Sequence, residues 1–154
     1  MSDTTIDNNG SAGQGGGIEV APQNSAIASV VLDGVKMRGN VYGMGLTATS
    51  GTIATVLRHS VIAGSAVSGI VVVGGPTGAF LTIEESSIVN NGGYGVQTAG
   101  SGVSVQIGGS TITGNITGVS GTGLVSFKNN QIGDNATDGT PITAFPGPGG
   151  TPLQ

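Results

Sequence analysis

Ile88-Val89-Asn90-Asn91-Gly92-Gly93-Tyr94-Gly95-Val96 and Ile112-Thr113-Gly114-Asn115-Ile116-Thr117-Gly118-Val119 share one punctuation: an apolar residue, an asparagine three positions on, then a glycine followed by a second apolar residue. Working outward, the apolar-x-x-Asn unit recurs at Ile6 with Asn9, Met37 with Asn40 and Ile132 with Asn135, and Ile62 with Ser65 is its one variant. The anchors at 6, 37, 62, 88, 112 and 132 lie 31, 25, 26, 24 and 20 residues apart. A period in the twenties is the mark of a solenoid, in which a single repeat cannot bury its apolar face but a stack of repeats can.

Alignment on the anchors brings Leu32, Leu57, Ile83, Ile107 and Phe127 into one column and Val30, Thr55, Leu81, Val105 and Val125 into another two positions earlier. Spacing of two inside a longer repeat predicts an inward-facing strand in each coil. Thr4, Val35, Ser60, Ser86, Ser110 and Asn130 form a column of small and medium residues suited to a narrow bend. Gly17-Ile18, Gly45-Leu46, Gly69-Ile70, Gly95-Val96 and Gly118-Val119 are read as corners, with glycine supplying unusual backbone angles before the next strand. The step lengths vary through turn-forming loops at 11–16, 47–51, 74–78 and 99–102. The expected fold is all-β, a single-stranded parallel β-helix (solenoid) of about five to six coils over residues 1–139, with 140–154 as a Pro/Gly-rich tail or cap.

Composition narrows the partners. Only 8% of residues are charged, Lys and Arg number four against a net charge of −4, and residues 86–127 carry no charged side chain. Such a surface has no footprint for phosphate backbones, so nucleic acid is excluded as an expected partner. Membrane insertion is not expected either, because the uncharged stretch is too rich in Gly, Ser, Thr and Asn for a spanning helix. The absence of cysteine is compatible with any compartment. Met1-Ser2-Asp3-Thr4 lacks the basic and apolar regions of a secretory signal.

The repeats quoted above look like those of right-handed parallel β-helices of the pectate-lyase-like superfamily, and the likeness covers about residues 2–139. In particular the chain resembles bacterial β-helix repeat proteins whose last coils end like Asn129-Asn130, Asp134-Asn135 and Gly139-Thr140-Pro141. The resemblance implies a right-handed solenoid, a secreted or cell-surface setting, and relatives longer at the N-terminus, so that this chain is expected to be N-terminally truncated. It is nearly silent on activity, because the superfamily includes lyases, hydrolases, epimerases, tailspikes and adhesins.

The asparagine column is read as a stacked amide ladder rather than a ligand-binding strip. More informative for chemistry is the line Asp33, Arg58, Glu84, Gly108 and Lys128, with His59 and Glu85 beside it. Carboxylate, guanidinium and carboxylate on successive coils resemble a sparse polysaccharide-cleaving face, but equally describe a surface ionic ladder, which is the favoured reading. A contact between His59 and Glu85 across adjacent coils is expected, without a third group to orient it for nucleophilic work. One histidine and one carboxylate are too few for a metal, and 13–17 fails the strand-to-helix context of a phosphate loop, so neither metal nor cofactor is expected. Sugar-binding surfaces generally present aromatic platforms, and Tyr42, Tyr94 and three phenylalanines, with Phe80 and Phe127 in strand segments, give that reading little support.

The functional expectation is a non-catalytic scaffold with a structural or surface-recognition role. The alternatives are a carbohydrate-active β-helix working through Asp33, Arg58, His59, Glu84 and Glu85, and a self-assembly module stacking through an uncapped first coil around Met1, Leu32 and Met37. The corresponding partners are a polysaccharide or another copy of the chain.

Overall fold

A computed structural model describes residues 1–11 and 13–145. Residues 146–154, the rest of the expected tail or cap, lie outside the described residues. Among those described, every regular element is a β-strand, and no helix is long and apolar enough to cross a membrane.

The chain winds through three faces in turn. A short strand such as Val61–Ala63 passes a corner into Ser68–Val73, which leads through a loop to Ala79–Glu84, and the circuit begins again. Stacked circuits form three six-stranded sheets in which each strand lies beside its equivalents one circuit earlier and later. The pairs are parallel throughout, as from Lys36–Arg38 to Val61–Ala63 and from Thr52–Arg58 to Ala79–Glu84. The expected parallel solenoid is the fold.

Alternation decides which side chains face in. In Thr52–Arg58, Ile53, Thr55 and Leu57 are buried while Ala54 and Arg58 are exposed, the period of two that one apolar face requires. The anchors Ile6, Met37, Ile62, Ile88, Ile112 and Ile132 stand in register down the first sheet. Leu32, Leu57, Ile83 and Ile107 do so in the third. Met37, Ile62, Ile88, Ile112, Leu57, Ile83 and Ile107 have no exposed surface. Each such burial stabilises the fold by about 1.5–3 kcal/mol before conformational entropy is counted.

Two side-chain ladders hold the corners on either side of the first sheet. At one, Asn91 N–H donates to Asn115 Oδ1 at 3.0 Å and Asn115 N–H to Asn135 Oδ1 at 3.0 Å, and the side-chain amides of Asn91 and Asn115 donate to the same oxygens. Asn9 stacks on Asn40 in the same way. At the other corner the column of small residues is a hydroxyl ladder. Val35 N–H donates to Ser60 Oγ, Ser60 N–H to Ser86 Oγ, Ser86 N–H to Ser110 Oγ and Ser110 N–H to Asn130 Oδ1. Backbone donors that a tight bend would otherwise leave orphaned inside the solenoid are thereby satisfied. Ser65 interrupts the amide ladder: its N–H reaches Asn91 Oδ1, but its own buried Oγ has no partner.

The glycine column differs from expectation in register and in cause. Ile18, Met44, Ile70, Val96 and Val119 are aligned, so the second member is Gly43 before Met44, and not Gly45 before Leu46. None of Gly17, Gly43, Gly69, Gly95 and Gly118 has a positive φ. They are glycine because a β-carbon has no room: at Gly69 it would lie 2.8 Å from the Gly95 carbonyl, 2.8 Å from Ile88 Cγ2 and 2.9 Å from Asn91 Nδ2. At this corner the left-handed positions lie instead one residue before the amide ladder, at Asn8, Gly39, Gly64, Asn90, Gly114 and Asp134, residue types that tolerate that region.

The last circuit slips by one residue. Leu124 and Ser126 pair with Val105 and Ile107, where Val125 and Phe127 were expected. The extra residue is taken up before Gln131, where Lys128 adopts a φ of 68° and its N–H donates to Ser126 Oγ. Shifting parity turns Phe127 outward, and its ring stacks on Phe145 with centroids 5.1 Å apart. Thr143–Ala144 pairs with Leu124–Ser126, and partly buried Ile142 packs against the core, so the ladder runs past residue 139 to Ala144.

Two substitutions test these packing claims. Gly43→Ala, which meets the Ile62 side chain and the Gly69 carbonyl, is expected to destabilise by about 1–3 kcal/mol, whereas Gly45→Ala meets only Glu19 Cγ at 3.9 Å and should be near neutral in denaturant unfolding. Ser65→Asn restores the missing amide and should raise stability by about 1 kcal/mol, read as a higher urea midpoint at unchanged m-value.

Candidate functional site

Asp33, Arg58, Glu84 and Gly108 stand in register at the ends of the third-sheet strands. Lys128 does not join them, because the one-residue slip sets Phe127 beside Gly108 instead. Arg58 donates from Nε to Asp33 Oδ2 at 3.0 Å, and its Nη2 lies 3.0 Å from the same oxygen. Among the described residues, no ion pair joins Arg58 to Glu84.

His59 and Glu85 follow in the turn to the first sheet, where the backbone is left-handed. Their φ values are 48° and 45°, and the equivalent residues of neighbouring circuits are Gly34 and Gly109. A residue with a β-carbon pays about 1–2 kcal/mol for that conformation. The imidazole Nδ1 is 2.8 Å from Asp33 Oδ1 and Nε2 is 3.1 Å from Glu85 Oε2. Carboxylates only accept, so both contacts are hydrogen bonds when the ring is protonated on both nitrogens. The hydrogen bond that His59 donates to Asp33 is the main cause that raises His59 above its ordinary 6.5. The same bond, with Arg58 adding to it, holds the Asp33 carboxyl below its ordinary 3.8.

The sequence-derived candidates Asp33, Arg58, His59 and Glu85 are therefore brought together, and Glu84 stays beside them with no ion pair among the described residues. Their chemistry is that of a staple. Both nitrogens of the only histidine are engaged, Arg58 is committed to Asp33, and the two carboxylates flank the ring on opposite sides rather than converging on one point. No group of three or more potential ligands among the described residues is arranged to hold a metal ion. With side chains 34–70% exposed, the staple is also screened by solvent.

A different feature lies on the outer face of the second sheet. A cleft of about 520 Å³ is walled by Tyr42 and Tyr94, with Ser68 between them on the intervening strand and Glu19, Val71 and Gln97 further along. The register sets Tyr42 beside Ser68 and Tyr94 one strand further on. Ser68 is 1% exposed and its Oγ has no partner. Sequence reasoning named both tyrosines without aligning them; the signal was a Tyr-Gly pair at 42–43 and again at 94–95, each glycine belonging to the stacked column.

No protein-family model, no curated protein and no solved structure matches this chain.

The staple predicts a pH signature. His59 contributes stability fully below its unfolded value of 6.5, and loses it as pH rises through the raised folded value. Asp33 contributes above 3.8 and loses its share as pH falls through its lowered folded value. The window between those two ordinary values is the most favourable. His59→Asn keeps a residue suited to the left-handed turn, and should lower the melting temperature more at pH 5 than at pH 8.5, flattening the wild-type slope.

Proposed function

We propose that the chain is a non-catalytic recognition scaffold, and that its recognition surface is the outer face of the second sheet. The observation that carries this reading is the Tyr42–Tyr94 cleft, an aromatic-walled concavity with a few polar groups built on a sheet floor. Rigid elements hold such groups more precisely than loops do. The staple supports the same reading from the other side, since its basic groups are already bound to its acids. A carbohydrate-active β-helix would need one of them free as an acid or base.

We further infer that the solenoid is right-handed, of the pectate-lyase-like kind. Parallel strand connections strongly prefer that hand, and the amide ladder at its corner supports the likeness.

The two tyrosines of this chain both wall the cleft, and it has no tryptophan. Intrinsic tyrosine emission is therefore a reporter of the cleft alone. Screening oligosaccharides, peptides and small amines by this emission should find ligands that give a saturable change, one that Tyr94→Leu reduces and Arg58→Ala does not. Polysaccharide depolymerisation by the wild type, abolished by Arg58→Ala or Glu84→Ala in a folded chain, would instead establish the enzyme.

A further inference from the structure

The walls and floor of the cleft carry one sign of charge. Glu19 is the only charged side chain among its lining residues, and it forms no ion pair among the described residues. It is exposed, and its Cγ lies 3.9 Å from where a β-carbon of Gly45 would stand, so the side chain runs along the bare backbone of the next strand, the one that bears Tyr42. The basic residues lie elsewhere: Lys36 and Arg38 in the first sheet, Arg58 at the end of a third-sheet strand and Lys128 in the last circuit.

The attachment points of Tyr42 and Tyr94 are two strands apart, about 10 Å at the usual strand spacing. Ser68, the small residue between them, is itself 1% exposed, so a guest sits above it, against the outer parts of the two side chains. Both tyrosines line the cleft, and a cation within roughly 6 Å of an aromatic ring is attracted to its face.

We propose that this cleft, lined by Tyr42, Tyr94 and Glu19, is a site for an organic cation, an ammonium or guanidinium group that packs on aromatic surface with the Glu19 carboxylate as the cleft's charge complement. The proposal rests on the recognition reading and names the chemistry of its ligand. An anionic ligand would meet Glu19 and a chain of net charge −4 without any basic group in the cleft to receive it. Val71 and the glycine backbone supply the apolar floor for the stem of the cation.

The test uses the whole chain and tyrosine emission. Choline and arginine amide are titrated beside 3,3-dimethylbutan-1-ol, the uncharged carbon isostere of choline. Saturable binding is expected for a cation, at least about tenfold weaker for the isostere, and weakened about five- to tenfold by Glu19→Gln, a change at an exposed position that leaves the fold intact. Tighter binding of arginine amide assigns a protein side chain as the natural source, and tighter binding of choline a free quaternary amine. Equal binding of choline and its isostere, or indifference to Glu19→Gln, overturns the proposal. If a neutral or acidic oligosaccharide changes the emission and the cations do not, the cation site falls while the recognition reading stands. If no ligand of any class changes it, both fall.

Discussion

Hydrogen bonding between equivalent corner side chains of successive circuits is the interaction on which the rest of this molecule depends. A parallel solenoid must turn its backbone sharply two or three times per circuit, and each turn strands donors that no sheet can satisfy. Here the side chain of one circuit accepts from the backbone of the circuit before it, through asparagine at one corner and serine at the other. Because donor and acceptor come from different circuits, the bonds also fix the rise and the register of the stack. The apolar columns can then align Ile on Ile without slipping.

Close stacking has a second consequence in the glycine column. Carbonyls of consecutive circuits approach the α-carbons of Gly17, Gly43, Gly69, Gly95 and Gly118 so nearly that no side chain fits. The core therefore alternates between columns of large residues and a column with none. The ordinary explanation of a corner glycine, backbone freedom, applies instead to Gly39, Gly64 and Gly114, which precede the amide ladder and share their left-handed conformation with Asn8, Asn90 and Asp134.

The outer surface separates two kinds of polar feature. The staple of Asp33, Arg58, His59 and Glu85 ties three adjacent circuits together with bonds that engage both of its basic groups. Placing His59 and Glu85 where neighbours have glycine costs conformational energy that the ion pairs offset only in part. The tyrosine cleft is the reverse case. Among the described residues its carboxylate forms no ion pair and the buried hydroxyl of Ser68 has no hydrogen-bond partner, and its walls are spaced by the solenoid itself.

By itself the sequence determined the solenoid, its period, the amide ladder and the alignment of Asp33, Arg58 and Glu84, because a repeat writes the same physical demand into every circuit. The left-handed turn before the ladder was not legible, because its column mixes Asn, Gly and Asp while the unbroken glycine column drew the expectation of unusual backbone angles to itself. Tertiary structure alone decided between Gly43 and Gly45, since both precede an apolar residue and only the approach of Ile62 and Gly69 distinguishes them. It also decided the slip at Ser126, where the shortest step in the repeat removes the periodic cue and the shifted parity sets Phe127 against Phe145. The cleft belongs to the same class. Outward residues obey no common packing requirement, so only stacking the strands brings Tyr42, Ser68, Tyr94 and Glu19 onto one surface.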